Sequence, residues 1–221
     1  MIRCVLFDLD GTLVDTWELY IEAYTRTLES YVGRRLTLDE LIGLGPVSEL
    51  RLFRRALSVG DAEAAHREFL RHYRSLHPTH FGGVYPGVHE MLGTLRRACL
   101  RLGIVTGKSR AAWEITAKEA DLGEFDAIVT DEEVAEAKPD PQGLVLALTR
   151  LGIPAEEAIY VGDSVGDASA ARAARIRFAA ALWPKGKHEM DQFLTRIREV
   201  GAWAELLSPK GLVASLEQRS V

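Results

Sequence analysis

Five short apolar runs do most to restrict what this chain can become. They cover residues 2–7, 102–105, 127–129, 158–161 and 178–182. From the second run onward, neighbours are separated by stretches with helical character, and another such stretch precedes the second run: 91–100, 111–121, 144–151 and 168–174. Apolar strands alternating with helices imply a parallel sheet covered on both faces, with right-handed crossovers. The expected fold is α/β, doubly wound about a parallel sheet of five or more strands. One helix start is spelled out locally, with Asp140 as N-cap and Pro141 in the first helical position.

Roughly ninety residues separate the first run from the second, far more than the ~10–15 of an ordinary crossover helix. Part of this stretch must form a separate lobe. Trp17, Tyr20, Tyr24, Leu28 and Tyr31 recur at helical spacing, as do Leu50, Phe53 and Leu57, and Phe69, Tyr73 and Leu76. Residues 15–85 are therefore expected to be an inserted α-helical cap, with the stripe as its own core rather than a ligand box. Residues 1–14 and 86–221 form the remaining core. Gly82-Gly83 and Pro86-Gly87 mark the return, and SLHPTHF reads as a hinge loop rather than a histidine metal site built from His66, His72, His77 and His80.

Hydrophobic residues make up 47% of the 221, enough for a packed core, and the net charge of -5 speaks against nucleic acid or an anionic membrane as partner. Cys4 and Cys99 cannot build a disulfide framework. With no charged-then-apolar leader and no apolar run near ~18 residues, the expected location is cytoplasmic.

Ligands of open α/β sheets bind at the carboxyl ends of the strands. Here those ends read Asp8-Leu9-Asp10-Gly11-Thr12, Thr106-Gly107-Lys108, Thr130-Asp131 and Gly162-Asp163-Ser164, with Asp167 one turn on. Asp8 and Asp10 point to one side as long as the chain stays extended. Two such carboxylates repel unless a cation joins them, and Asp163 adds a third. With no His or Cys among them, the set suits Mg²⁺ before Zn²⁺, leaving coordination positions for water and a phosphate. As isolated residues, Asp131 and Asp163 read as caps of the following helices; Asp8, Asp10 and Asp163 together do not. The stretch GIVTGKSR imitates a phosphate-wrapping P-loop, but the required glycine position is Leu102, and Gly103 comes one residue late.

FDLDGTLVDT, VTGKS, AKPDP and GDSVGD, in this order and spacing, resemble the four motifs of the haloacid dehalogenase-like hydrolases. The inserted lobe is similar to the helical cap of their phosphoglycolate phosphatase-like branch. The resemblance implies a Mg²⁺-dependent hydrolase of a small phosphorylated metabolite, 2-phosphoglycolate being one option, working through an aspartyl-phosphate. It implies Asp8 as nucleophile and Asp10 as the acid that protonates the leaving group and then activates water. Thr106 and the Gly107 amide would hold the phosphoryl group. Lys108 either adds charge there or points to solvent. Lys138 would neutralise charge on Asp8 and the phosphoryl oxygens. The metal would sit on Asp8, the Asp10 backbone carbonyl and Asp163, with Asp167 orienting Lys138 or a metal-bound water.

An acid at position 10 speaks against halide release, which needs no proton. The absence of any lysine in residues 15–85 speaks against Schiff-base phosphonate chemistry. Pyrophosphatase, phosphomutase and a phosphoacceptor without turnover stay open, as does oligomeric state. Arg51, Arg54 and Arg55 share one expected helix and read as a solvated face, or as a source of a carboxylate clamp. One position departs from the family: Arg175 stands where a glycine often ends the helix after the fourth motif.

Overall fold

The computed structural model describes residues 1–45 and 48–218 and divides into two compact units. In chain order the strands and helices are β1 (Cys4–Phe7), β2 (Val14–Asp15), α1 (Trp17–Val32), α2 (Leu38–Gly43), α3 (Glu49–Ala56), α4 (Val59–His80), β3 (Gly83–Val84), α5 (Val88–Arg97), β4 (Arg101–Val105), α6 (Arg110–Ala120) and β5 (Ala127–Val129). They continue as α7 (Gln142–Leu151), β6 (Ala158–Gly162), α8 (Val165–Ala173), β7 (Arg177–Ala181), α9 (Lys187–Arg196), β8 (Ala204–Leu206) and α10 (Lys210–Gln218).

The first unit comprises Met1–Asp15, Val84–Thr106 and Leu122–Val221. Its sheet has six strands in the order β5-β4-β1-β6-β7-β8, with parallel pairing throughout. β1 lies near the middle, registered by Phe7 on Ile104 of β4 and on Val161 of β6. All four of its residues are buried, as expected for a strand covered on both faces. The core gathers Leu6, Val105, Val129, Tyr160, Phe178 and the alanines of α8. The small side chains of α8 let that helix lie close to the sheet, which matters for the acid it carries.

α7 begins one residue later than expected, at Gln142 with Pro141 as N-cap. Asp140 still accepts the Gln142 amide at 2.9 Å. β8, α9 and α10 have no counterpart in the apolar runs of the sequence.

The second unit comprises Thr16–Gly83 and Gly107–Asp121, so the motif residues Thr106 and Gly107 straddle the boundary. α1, α3, α4 and α6 enclose Leu19, Tyr24, Leu28, Phe53, Phe69, Tyr73 and Leu76. The rings pack on one another, Tyr24 on Phe69 at 4.7 Å between centroids and Phe53 edge-on to Phe69 at 5.8 Å. Trp17, expected in this stripe, is 59% exposed at the first position of α1. The SLHPTHF stretch is not a loop: α4 runs through Pro78 to His80. Pro78 lies inside the last turn of that helix and leaves the Arg74 carbonyl without its usual i+4 donor.

Candidate active site

β1 stops at Phe7, and the backbone amide of Asp8 still reaches the Val161 carbonyl at 2.9 Å, so Asp8 projects from the end of the central strand. Leu9 is fully buried, on the core side, and Asp10 is half-buried, its backbone forming a bridge to Val14. Asp8 is 8% exposed. Its Oδ1 lies 3.0 Å from Lys138 Nζ, and the same ammonium lies 2.7 Å from Asp167 Oδ1.

α8 places Asp167 through its own first turn. Ser164 is the N-cap; its Oγ accepts the Asp167 amide at 3.1 Å and donates to Asp167 Oδ2 at 2.5 Å. The Ser164 amide donates to Oδ2 as well, at 3.0 Å. This reciprocal cap fixes the carboxylate as firmly as it starts the helix. Gly162 gives it room, because a Cβ there would stand 2.6 Å from the Asp167 Cβ.

Asp163 approaches from the end of β6. Its Oδ2 pairs with Lys185 Nζ at 2.9 Å, and Thr12 Oγ1 lies 3.4 Å from Oδ1. Gly11, at φ +75°, passes so close that a Cβ would stand 2.8 Å from Asp163 Oδ2. A side chain at that position would meet both the left-handed backbone penalty and the carboxylate. Trp183 Nε1 ties the same turn down by donating to the Thr12 carbonyl at 3.0 Å.

One oxygen each from Asp8, Asp163 and Asp167 lies within 4.8 Å of the others, and among the described residues this is the one group of potential metal ligands. The Asp10 carboxylate is outside it. Burial pushes the Asp8 carboxyl up to about 8; Lys138 pulls the other way, while Asp167, Asp163 and Asp10 add to the rise. Burial likewise takes Asp163 to about 6 against the pull of Lys185. Burial opposes ionisation of Asp167 too, yet Lys138 and the bonds from Lys138, Ser164 and Tyr160 hold it below the ordinary carboxylate range. Lys138 is driven well above its usual range despite burial, because Asp167 and Asp8 face it. Three carboxylates thus meet two ammoniums.

Two contributors had escaped the sequence reading. Tyr160, fully buried in β6, has its hydroxyl 2.9 Å from Asp167 Oδ1 and 3.1 Å from the Val105 carbonyl, and accepts from Lys138 at 3.0 Å. A phenol inside an apolar strand was the available signal. Lys185 follows β7, so the strand-end rule that found the acids would have found it as well.

Thr106 lies just past β4, 5% exposed, its amide bonded to the Val129 carbonyl at 3.0 Å. Gly107 and Lys108 belong to the helical unit. Lys108 is not solvated: at 2% exposure it donates to the hydroxyls of Tyr20 at 2.7 Å and Tyr73 at 2.9 Å. The expected arginine face is partly engaged, with Arg54 on Glu63 and Arg55 on the Leu44 carbonyl.

A cluster of buried acids and a lysine at the carboxyl edge of a parallel six-stranded sheet defines a doubly wound α/β protein with a site for anion-and-cation chemistry. More particularly, the chain belongs to the haloacid dehalogenase-like hydrolases, whose family profile matches residues 5–181. It is 38% identical over 198 residues to pyrophosphatase PpaX of Bacillus velezensis, covering 87% of this chain and 89% of that one. The pyrophosphatase PpaX of Listeria welshimeri is 34% identical over 195 residues, with the same coverage. Among solved structures, CbbY of Rhodobacter sphaeroides in complex with phosphate superposes with a TM-score of 0.82 at 26% identity, covering 98% of this chain and 100% of that one. No helix among the described residues is long and apolar enough to cross a membrane.

Proposed function

We infer that the protein hydrolyses a phosphoryl bond of a small phosphorylated compound through a covalent intermediate on Asp8. The observation that carries this reading is the Asp8 carboxylate itself, buried at a strand end 3.0 Å from a lysine that Asp167 and Tyr160 hold in place. Asp8 Oδ attacks phosphorus while the bond to the leaving oxygen breaks, and Asp10 gives that oxygen its proton. Water then attacks the phosphorus of the acyl phosphate. Asp10 takes the water's proton, releasing inorganic phosphate and restoring the Asp8 carboxylate. Lys138 balances charge on Asp8 and the phosphoryl oxygens; Thr106 and the Gly107 amide serve as further phosphoryl contacts.

The donor set fits a hard divalent cation, being all carboxylate oxygen with a surplus of negative charge. Asp8, Asp163, the Asp10 backbone carbonyl and, directly or through water, Asp167 would hold Mg²⁺. When bound, the ion lowers the Asp8 pKa and neutralises developing charge on the phosphoryl oxygens.

Pyrophosphate is the favoured substrate, supported by the pyrophosphatase names of the relatives at 38% and 34% identity. 2-Phosphoglycolate is the weaker reading, because the contacts of Arg54 and Arg55 within the helical unit occupy two of the three arginines offered for its carboxylate. Phosphate release from pyrophosphate, 2-phosphoglycolate and a set of sugar phosphates, with and without Mg²⁺, tests both. Turnover should require Mg²⁺, be fastest with pyrophosphate, and fall by about 10⁴-fold or more in Asp8→Asn, which keeps the shape but not the anionic nucleophile. Full activity in Asp8→Asn would remove the mechanism.

A further inference from the structure

The helical unit buries two opposite charges that this mechanism leaves unused. Glu49, at the start of α3, is 1% exposed, and Lys108 is 2% exposed. They are joined through Tyr20, whose hydroxyl accepts from Lys108 at 2.7 Å and donates to Glu49 Oε1 at 2.7 Å. The other oxygen of Glu49 accepts the backbone amide of Ser109 at 2.9 Å. Ser109 is itself the N-cap of α6, its hydroxyl accepting the Ala112 amide at 3.3 Å. Tyr73 completes the cluster, accepting from Lys108 at 2.9 Å and hydrogen-bonded to Thr116 Oγ1 at 2.9 Å. The Lys108 ammonium also lies over the Tyr20 and Tyr73 rings, at 4.2 and 4.8 Å.

A Glu and a Lys taken out of water are a poor means of stabilising a helical bundle. Well-packed apolar side chains of similar size usually do as well or better, and losing one partner alone is costly. Burial raises the Glu49 pKa even with Lys108 opposing it, so the charge is held at some expense. What the cluster does accomplish is specific: Glu49 of α3 holds the Ser109 amide, and Tyr20 of α1 and Tyr73 of α4 hold Lys108. Residues 107–109 directly follow Thr106 and include the Gly107 amide.

We propose that Glu49, Tyr20 and Lys108 form a positioning network that fixes the Gly107–Ser109 turn so that the Gly107 amide is presented to the phosphoryl group. The role rests on the phosphoryl-transfer reading above. None of the three is a catalytic residue; each acts through the backbone that Lys108 and Ser109 anchor. A donor amide that must meet charge in the transition state loses rate rather than ground-state affinity when its aim is spoiled.

The decisive variant replaces both charges together, Glu49→Leu with Lys108→Met, and is compared with Tyr20→Phe. Steady-state kinetics with pyrophosphate, thermal unfolding and hydrogen exchange of the Ser109 amide are measured on each. The expected result for the double variant is a melting temperature at or above that of the wild type, faster Ser109 exchange, and kcat lower by about 10–100-fold with KM little changed. Tyr20→Phe, which removes only the bridging hydroxyl, should show the same pattern more weakly. Unchanged kcat in both variants overturns the proposal. A double variant that loses rate only in proportion to a lowered melting temperature, with Tyr20→Phe fully active, assigns the cluster to structure and overturns it as well. A wild type that hydrolyses nothing in the panel removes the underlying reading instead, which separates the two failures.

Discussion

Two lysines, each withdrawn from solvent, define the contrast between the two units. Lys138 lies among carboxylates, with Asp8 and Asp167 at 3.0 and 2.7 Å, in a cluster that holds more negative than positive charge. Lys108 lies among phenols, with the Glu49 carboxylate one hydroxyl away. Such a network can hold a backbone turn. In the acidic cluster burial raises Asp8 and Asp163 and neighbouring carboxylates add to the rise, a repulsion that a divalent cation held there would relieve. Burial of a lysine is therefore no guide to its role until the charges around it are counted.

The contrast can be broken most directly by removing the two ammoniums one at a time. Lys138→Met leaves Asp8 and Asp167 buried with no ammonium between them, and Lys108→Met does the same to Glu49. Each metal-free variant should lose about 3–5 kcal/mol of stability. Mg²⁺ should restore much of the loss in Lys138→Met, because the carboxylates proposed to hold it are those left without their ammonium, and none of it in Lys108→Met. Turnover of Lys138→Met should stay down by about 10²–10³-fold even with the metal present, since the phosphoryl oxygens have lost their lysine. Thermal unfolding with and without Mg²⁺ gives the answer; equal rescue of both variants would erase the distinction between the units.

A second, smaller effect lies in pH. Burial lifts Asp8 to about 8 and Asp163 to about 6, above the ordinary carboxylate value of 3.8, so the metal-free fold takes up protons that the unfolded chain has already released. These two groups contribute stability fully at pH below the unfolded value, and that contribution is lost as pH rises through about 6 and then about 8. Mg²⁺ must displace the same protons, so its stabilising effect runs the opposite way and grows across that window. The Mg²⁺-induced rise in melting temperature should be larger at about pH 8 than at about pH 6. A shift of constant size would mean that the cation binds without displacing these protons.

The two regions also differed in how far the sequence disclosed them. Asp8, Asp10 and Asp163 could be placed together because apolar runs mark the strands and the strand-end rule needs only their last residues; a role for Asp167, one turn into the next helix, needed the motif. Lys138 needed the motif, having no apolar run to locate it. Tyr160 was hidden because a phenol among Ile, Val and Gly in a strand reads as one more large core side chain. The Lys108 network was beyond reach. Its partners are 35 and 88 residues away in sequence, and only the packing of α1 and α4 against the turn brings them together. β8 escaped for a similar reason: Ala-Glu-Leu has no pattern of its own and becomes a strand by pairing with β7. Within the helical unit, periodicity identified the aromatic core but not its end, so Trp17 was drawn into a stripe that starts at Leu19.

The smallest effect comes from the departure at Arg175. α8 ends at Ala173, with Ala174 still helical and Arg175 at φ 58°, the left-handed position that follows many helices. Glycine adopts that conformation without the crowding a Cβ introduces, though it gives back part of the gain through a more flexible unfolded chain. Arg175→Gly should therefore raise stability by about 0.5–1 kcal/mol. The same helix carries Asp167 in its first turn, so this change also asks whether the site feels the far end of α8. If the cluster is set by its own cap of Ser164 and Asp167, the gain in melting temperature will be equal with and without Mg²⁺, and turnover will not move. A gain seen only in the metal-loaded protein would show that the strain at Arg175 reaches the carboxylates, and the local account of how Asp167 is held would have to give way to one that spans the whole helix.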